Sequence, residues 1–230
     1  MGGLQKNSLI DYPGKVSCVL FLLGCNFDCP YCHNPGLVRG DLTSHDYPDE
    51  RAVLEFLARR KGFLDGVVIS GGEPTLDKSL ISFCEKIKRM GYPVKLDTNG
   101  SQPRVIKCLI EEGLVDYIAM DIKTDPLQYS PLLVKDYDPG HVLTSIRTIM
   151  DRAKAYEFRT TCVESLVTAQ IIEIISKTIR GASQYVLQHF RKGMVLHPEY
   201  FRADRSNYDE GGLRQLKAIA EPWVKKCLIR

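Results

Sequence analysis

Apolar positions along this 230-residue chain follow two alternating rhythms. A continuous apolar run marks a buried strand at VSCVLFLLG (16–24), and further strand-like segments occur at GVVISGG (66–72), VKLDTNG (94–100) and VDYIAMDIK (115–123). Two more follow at FRTTCVESLV (158–167) and QYVLQHF (184–190). Between them lie segments with apolar residues three and four positions apart, the spacing of an amphipathic helix. These cover 49–62, 75–91, 102–113, 140–156, 168–182 and a last one around 209–222. Gly62, Gly91 and Gly113 fall where three of the helices should stop. WVKKCLIR (223–230) reads as a short terminal strand.

Near-continuous apolar strands alternating with amphipathic helices predict a parallel sheet covered by helices. Six units of about 30 residues fit the length, short of the ~250 residues of a full eight-unit barrel. The fold class is therefore α/β, a partial (β/α)6 TIM-like barrel with its helices outside. No Pro/Gly/Ser linker divides the units, so residues 1–230 are expected to form one domain.

Composition narrows the function classes. An apolar fraction of 44% and a charged fraction of 26% are those of a globular protein. A net charge of +3 without any dense Lys/Arg run gives no reason to expect nucleic acid. MGGLQKNSLIDYPGK lacks the apolar core of a signal peptide, and Val19 to Leu23 is far too short to span a membrane. The expectation is a cytoplasmic protein. Five of its eight cysteines (Cys18, Cys84, Cys108, Cys162, Cys227) sit singly in apolar or amphipathic segments, as small buried hydrophobes do.

Parallel α/β architectures gather ligands at the C-terminal ends of their strands. Those ends carry Cys25, Ser70-Gly71-Gly72-Glu73, Asp97-Thr98-Asn99, Asp121 with Lys123, and Gln188-His189. The remaining three cysteines, Cys25, Cys29 and Cys32, crowd into eight positions after the first strand. A structural zinc site wants a fourth ligand, and His33 directly follows Cys32, a poor placement for one tetrahedron. A disulfide would leave an odd thiol, and a redox CxxC would leave Cys25 unexplained. An iron–sulfur cube wrapped by a cysteine loop accounts for all three. Three thiolates leave one iron open to an outside ligand, the arrangement that separates catalytic metal sites from closed structural ones.

The spacing Cys25-x3-Cys29-x2-Cys32, with Tyr31 before the last cysteine, resembles the signature of radical S-adenosylmethionine enzymes, and SGGEP (70–74) resembles their GGE motif. DYPGKVSCVLFLLGCNFDCPYCHNP, LDTNG and MDIK look like the glycyl-radical-enzyme activases, which include activators of pyruvate formate-lyase and of anaerobic ribonucleotide reductase. The SLIDYPGK…CHNP opening is most similar to the reductase-activating branch. The resemblance covers about residues 8–190, leaving 191–230 as an extension of the barrel. No cysteine lies between Cys32 and Ser70, so no ferredoxin-like insert is expected there.

The resemblance implies a [4Fe–4S] cluster on Cys25, Cys29 and Cys32, with S-adenosylmethionine chelating the open iron. It further implies that Gly71 and Gly72 present backbone to the methionyl amino group; a tight turn would also use both glycines. Glu73 is divided between substrate contact and helix N-terminal charge. Lys123 is expected on the methionyl carboxylate, and Arg159 near the carboxylate or sulfonium end, with a solvated surface charge as its alternative. Asp97, Thr98 and Asp121 are expected around that carboxylate and a monovalent cation, although Asp97 or Asn99 would also suit helix capping. Tyr31 is placed on the adenine and His189 near the adenosyl group, each with plain packing as the alternative.

The implied chemistry is one-electron cleavage of S-adenosylmethionine to methionine and a 5′-deoxyadenosyl radical, which takes hydrogen from a glycine of a partner glycyl radical enzyme. The electron would come from a flavodoxin or ferredoxin. The rival is a radical enzyme acting on a small metabolite, of the 7-carboxy-7-deazaguanine synthase kind. An electron carrier or zinc-stabilised binding protein would have no use for SGGEP and LDTNG at successive strand ends.

Overall fold

The computed structural model describes residues 1–40, 48–129, 133–134, 138–191, 193–201 and 207–230. Eight strands form one sheet in chain order: β1 (Gly3–Ser8), β2 (Ser17–Leu22), β3 (Gly66–Gly71), β4 (Val94–Thr98), β5 (Tyr117–Asp121), β6 (Tyr156–Cys162), β7 (Tyr185–His189) and β8 (Cys227–Ile229). β2 through β8 run parallel, while β1 pairs antiparallel with β2. Among the described residues β1 and β8 are the two edges and do not pair, so the barrel stays open. The six expected strands are β2 to β7, and the α/β partial-barrel expectation holds.

The helices are α1 (Pro35–Arg39), α2 (Glu50–Arg59), α3 (Leu80–Arg89), α4 (Pro103–Glu111), α5 (Pro139–Arg152), α6 (Ala169–Thr178) and α7 (Glu210–Ala220). Side-chain caps start four of them: Asp49, Asp138, Thr168 and Asp209 each accept from a backbone N–H of the first turn. Among the described residues no helix is long and apolar enough to cross a membrane.

Three boundaries depart from the periodicity. The segment 75–91 divides into a 3-10 turn at Pro74–Leu76 and α3, because Asp77 accepts from both the N–H and the hydroxyl of Ser79 and fixes a bend. α5 stops at Arg152 rather than 156, since Tyr156 is drawn into β6 opposite Ile118. β1 is not evident in the sequence: GLQKNS has no apolar alternation and is held by its ladder to Phe21, Leu20 and Val19.

The sheet has two unlike faces. Outside, Leu20, Ile69, Leu96, Ile118, Phe158 and Leu187 pack under the helices in the main core. Cys18, Cys84 and Cys162 lie in it too, and burial pushes each thiol up to about 12, which keeps them inert. Inside the barrel the apolar cluster is small: Tyr12, Val19 and Val68, flanked by Phe21 and Tyr117. Tyr12 enters the barrel floor from a turn in which Lys15 N–H donates to Tyr12 O (3.1 Å) and Gly14 takes φ 71°. Its ring stands 6.0 Å from that of Tyr117. Next to it Glu157, fully buried, accepts both Arg230 Nη1 (2.9 Å) and Nη2 (2.8 Å), with Gln184 and Tyr117 completing the group. Thus the floor is closed by rings and one ion pair, and the functional groups occupy the opposite rim.

Candidate active site

The chain leaves β2 through Gly24 (φ 84°), whose N–H donates to Leu37 O (2.8 Å), and enters the cysteine loop. The loop is pinned from two sides. Asp28 N–H donates to Leu133 O (2.7 Å), while Leu196 N–H donates to Cys32 O (2.9 Å) and His197 N–H to Pro30 O (3.1 Å). Cys32 N–H closes a turn onto Cys29 O (3.0 Å). The three thiols are free and line one cavity of about 200 Å³. Burial pushes Cys25 up to about 11, against the N–H of Phe27, and Cys29 up to about 12, against the Lys123 charge. Metal binding here would therefore release protons. Among the described residues no three His, Cys, Asp or Glu side chains converge as for a single metal ion. Three thiols lining one cavity suit an iron–sulfur cluster.

β3 meets this loop at Gly71 and Gly72. Gly72 N–H donates to Leu22 O (3.0 Å), and Glu73 N–H to Gly24 O (2.8 Å). A Cβ on Gly71 (φ 135°) would strike the Leu22 backbone, and one on Gly72 the Gly24 carbonyl. Packing alone thus requires both glycines, and both still line the cavity.

The opposite wall is charged. Asp97, Asp121 and Arg159 are inner-face residues of β4, β5 and β6, and Lys123 follows two residues after Asp121. Arg159 Nε donates to Asp121 Oδ1 (2.7 Å) and its Nη1 lies 3.5 Å from Asp97 Oδ1. Lys123 Nζ donates to Asp121 Oδ2 (3.0 Å). Burial alone would raise the Asp121 pKa; the Arg159 and Lys123 charges outweigh it and hold the carboxyl well below the usual range. Burial likewise opposes the Lys123 charge, and Asp121 outweighs it. Lys95 stands behind Asp97 on the same strand, bonded to its Oδ1 and 2% exposed. No expectation covered it, although a lysine two residues before Asp97 in VKLDTNG shares its face by strand alternation.

Tyr31 lines the cavity but is itself buried, its ring edge-on to Phe190 at 6.4 Å. Its hydroxyl has no hydrogen-bond partner among the described residues. His33 stacks on Phe190 (5.6 Å, 29°), with its Nε2 2.8 Å from Arg191 O. Asn99 Nδ2 donates to Asn26 Oδ1 (3.0 Å) and lies 3.9 Å from Cys25 Sγ, tying the end of β4 to the cysteine loop.

Two expected members stand apart. Glu73 is turned inward: Oε1 accepts from Thr75 and from Thr98 Oγ1 (2.7 Å), and Oε2 from Asn99 N–H (2.6 Å). It acts as a brace joining the ends of β3 and β4, and it is not among the residues lining the cavity. Thr98, bonded to it, keeps a place on the cavity wall. His189 has the strand parity of Tyr185 and Leu187, which face the outer core, so alternation carries it off the inner face. It is exposed and lines a shallow neighbouring recess with Gln188, Thr161, His33 and Arg191.

Cavity, thiols and cations converge with the comparisons. The Radical SAM superfamily profile matches residues 19–173, and the chain belongs to that superfamily. Its enzymes work with a [4Fe–4S] cluster and S-adenosylmethionine, and the donor set described above fits both groups. A protein of Methanocaldococcus jannaschii, provisionally named a glycyl-radical enzyme activating enzyme, is 36% identical over 100% of this chain and 95% of its own length. A second protein of that organism with the same provisional name is 25% identical over 95% of this chain and 82% of its own. Among solved structures, Streptococcus suis SuiB bound to S-adenosylmethionine superposes with a TM-score of 0.66 at 12% identity. It covers 92% of this chain, which spans about half of SuiB.

Proposed function

We propose that this radical S-adenosylmethionine enzyme is a glycyl-radical-enzyme activase, and that its partner is an anaerobic ribonucleotide reductase. The observation that carries the reading is the 36% identity, end to end, with a relative named for that activity. The open side of the sheet supports it, because a peptide loop bearing a glycine needs lateral access to the cavity.

Cys25, Cys29 and Cys32 would hold the cluster, which supplies the electron that splits S-adenosylmethionine into methionine and a 5′-deoxyadenosyl radical. Lys123 and Arg159 receive the methionyl carboxylate, held in place by Asp121 and Asp97. Backbone at Gly71 and Gly72 faces the amino group, with Thr98 beside them. Tyr31 walls the adenine side. Glu73 and His189 act from outside the cavity, Glu73 through Thr98 and Asn99. The buried walls limit the access of solvent and of unintended hydrogen-atom donors to the reacting carbon. A flavodoxin or ferredoxin is the fitting one-electron donor.

The test is reduced, reconstituted protein with S-adenosylmethionine and the cognate reductase, followed by electron paramagnetic resonance. A doublet glycyl radical signal on the reductase is expected. Turnover of a small metabolite without any protein radical would instead favour an enzyme of the 7-carboxy-7-deazaguanine synthase kind. Lys123→Ala should weaken S-adenosylmethionine binding by about one to two decades, the worth of a charged hydrogen bond, with iron content unchanged.

A further inference from the structure

Lys95 sits inside the barrel wall, its ammonium against Asp97 Oδ1 and its side chain 2% exposed. Lysine is almost never so deeply buried without a partner, because desolvating the charge costs more than a casual pair returns. The neighbours in register are Val68 on β3 and Tyr117 on β5, and neither carries a compensating charge. Asp97 is therefore the partner that compensates the buried Lys95 ammonium.

A charge count of the connected groups shows what this does. Lys95, Arg159 and Lys123 face Asp97 and Asp121, three cations against two carboxylates. The surplus is one positive charge, the amount one ligand carboxylate neutralises. Without Lys95 the group would be neutral, and an incoming carboxylate would need a further cation from solution.

We propose that Lys95 is a positioning residue, the resident counter-ion of Asp97, so that the carboxylate of S-adenosylmethionine binds here without an alkali metal cation. The inference rests on the reading of the cavity as the S-adenosylmethionine site, and it replaces the monovalent cation that the sequence resemblance implies.

The experiment measures equilibrium binding of S-adenosylmethionine to the anaerobically reconstituted protein in potassium chloride and in choline chloride of equal ionic strength, which holds screening constant. Wild-type affinity should agree in the two salts. Lys95→Ala, which removes the charge and leaves room beside Asp97, should bind about tenfold more weakly in choline chloride and regain affinity in potassium chloride. A wild-type protein that loses affinity when potassium is withdrawn overturns the proposal. So does a folded Lys95→Ala variant that binds like wild type in both salts, or one whose weak binding potassium does not restore. Should Lys95→Ala fail to fold, the wild-type comparison decides alone. No binding in either salt would overturn the reading of the site itself.

Discussion

Arg159 and Asp121 stand in register on neighbouring parallel strands, with Arg159 Nε 2.7 Å from Asp121 Oδ1. The pair is mostly buried, with side chains 13% and 25% exposed. Asp121→Asn would leave Arg159 and Lys123 with half their counter-charge. Breaking such a pair, discounted for its partial exposure, should cost about 2–3 kcal/mol. The melting temperature should then fall by roughly 4–12 °C, by calorimetry or circular dichroism. An unchanged melting temperature would show that the pair contributes nothing to stability.

The cysteines should divide cleanly into two sets. Cys25→Ala, Cys29→Ala and Cys32→Ala should each prevent assembly of an intact cluster, read as iron and sulfide content after anaerobic reconstitution. Cys84→Ala and Cys108→Ala should retain it, since neither side chain lines the cavity. Full iron loading of all three loop variants would remove the cluster from this loop.

Tyr12 fills the floor of the barrel, and a Cβ on Gly66 would already touch its ring at 3.0 Å. Tyr12→Ala should therefore cost about 3–5 kcal/mol, the usual penalty for emptying an aromatic site. Tyr12→Phe should retain most of that stability. Denaturant midpoints of the two variants measure the difference, and equal midpoints would show that the floor is not packed by this ring.

Acid should weaken the fold through Asp116. Burial would raise its pKa from 3.8, but the bonds from Lys88 Nζ (2.6 Å) and Val94 N–H (2.9 Å), aided by Lys154, lower it. A carboxyl depressed in the folded state contributes stability above its unfolded value, and that stability is lost as the pH falls below about 4. Asp116→Asn should accordingly be less stable than wild type at pH 7, with the gap closing towards pH 3. A gap of constant size across a urea titration series would contradict this.

Much of the architecture was legible because buried parallel strands leave apolar-rich stretches between amphipathic helices, most plainly SCVLFL in β2 and GVVISG in β3. The cysteine loop was legible because its spacing is local. What sequence could not show depends on contacts between distant segments. GLQKNS becomes β1 only because Phe21, Leu20 and Val19 offer it a ladder. Glu73 faces inward because its acceptors are filled by Thr98 and Asn99, 25 and 26 residues further on. The outward placement of His189 follows from its strand parity with Leu187, which motif position does not convey. The same parity was available for Lys95, a charged side chain buried behind the cavity wall.

Because strand order in the sheet equals strand order in the chain, every pairing joins consecutive strands, and the sheet can grow from β1 to β8 as the chain emerges. During synthesis the cysteine loop emerges directly after the first parallel strand, well before β4, β5 and β6 bring the carboxylates and cations. The thiols thus meet solvent while they have no walls around them, and the chamber that shelters a cluster is complete only once β6 docks.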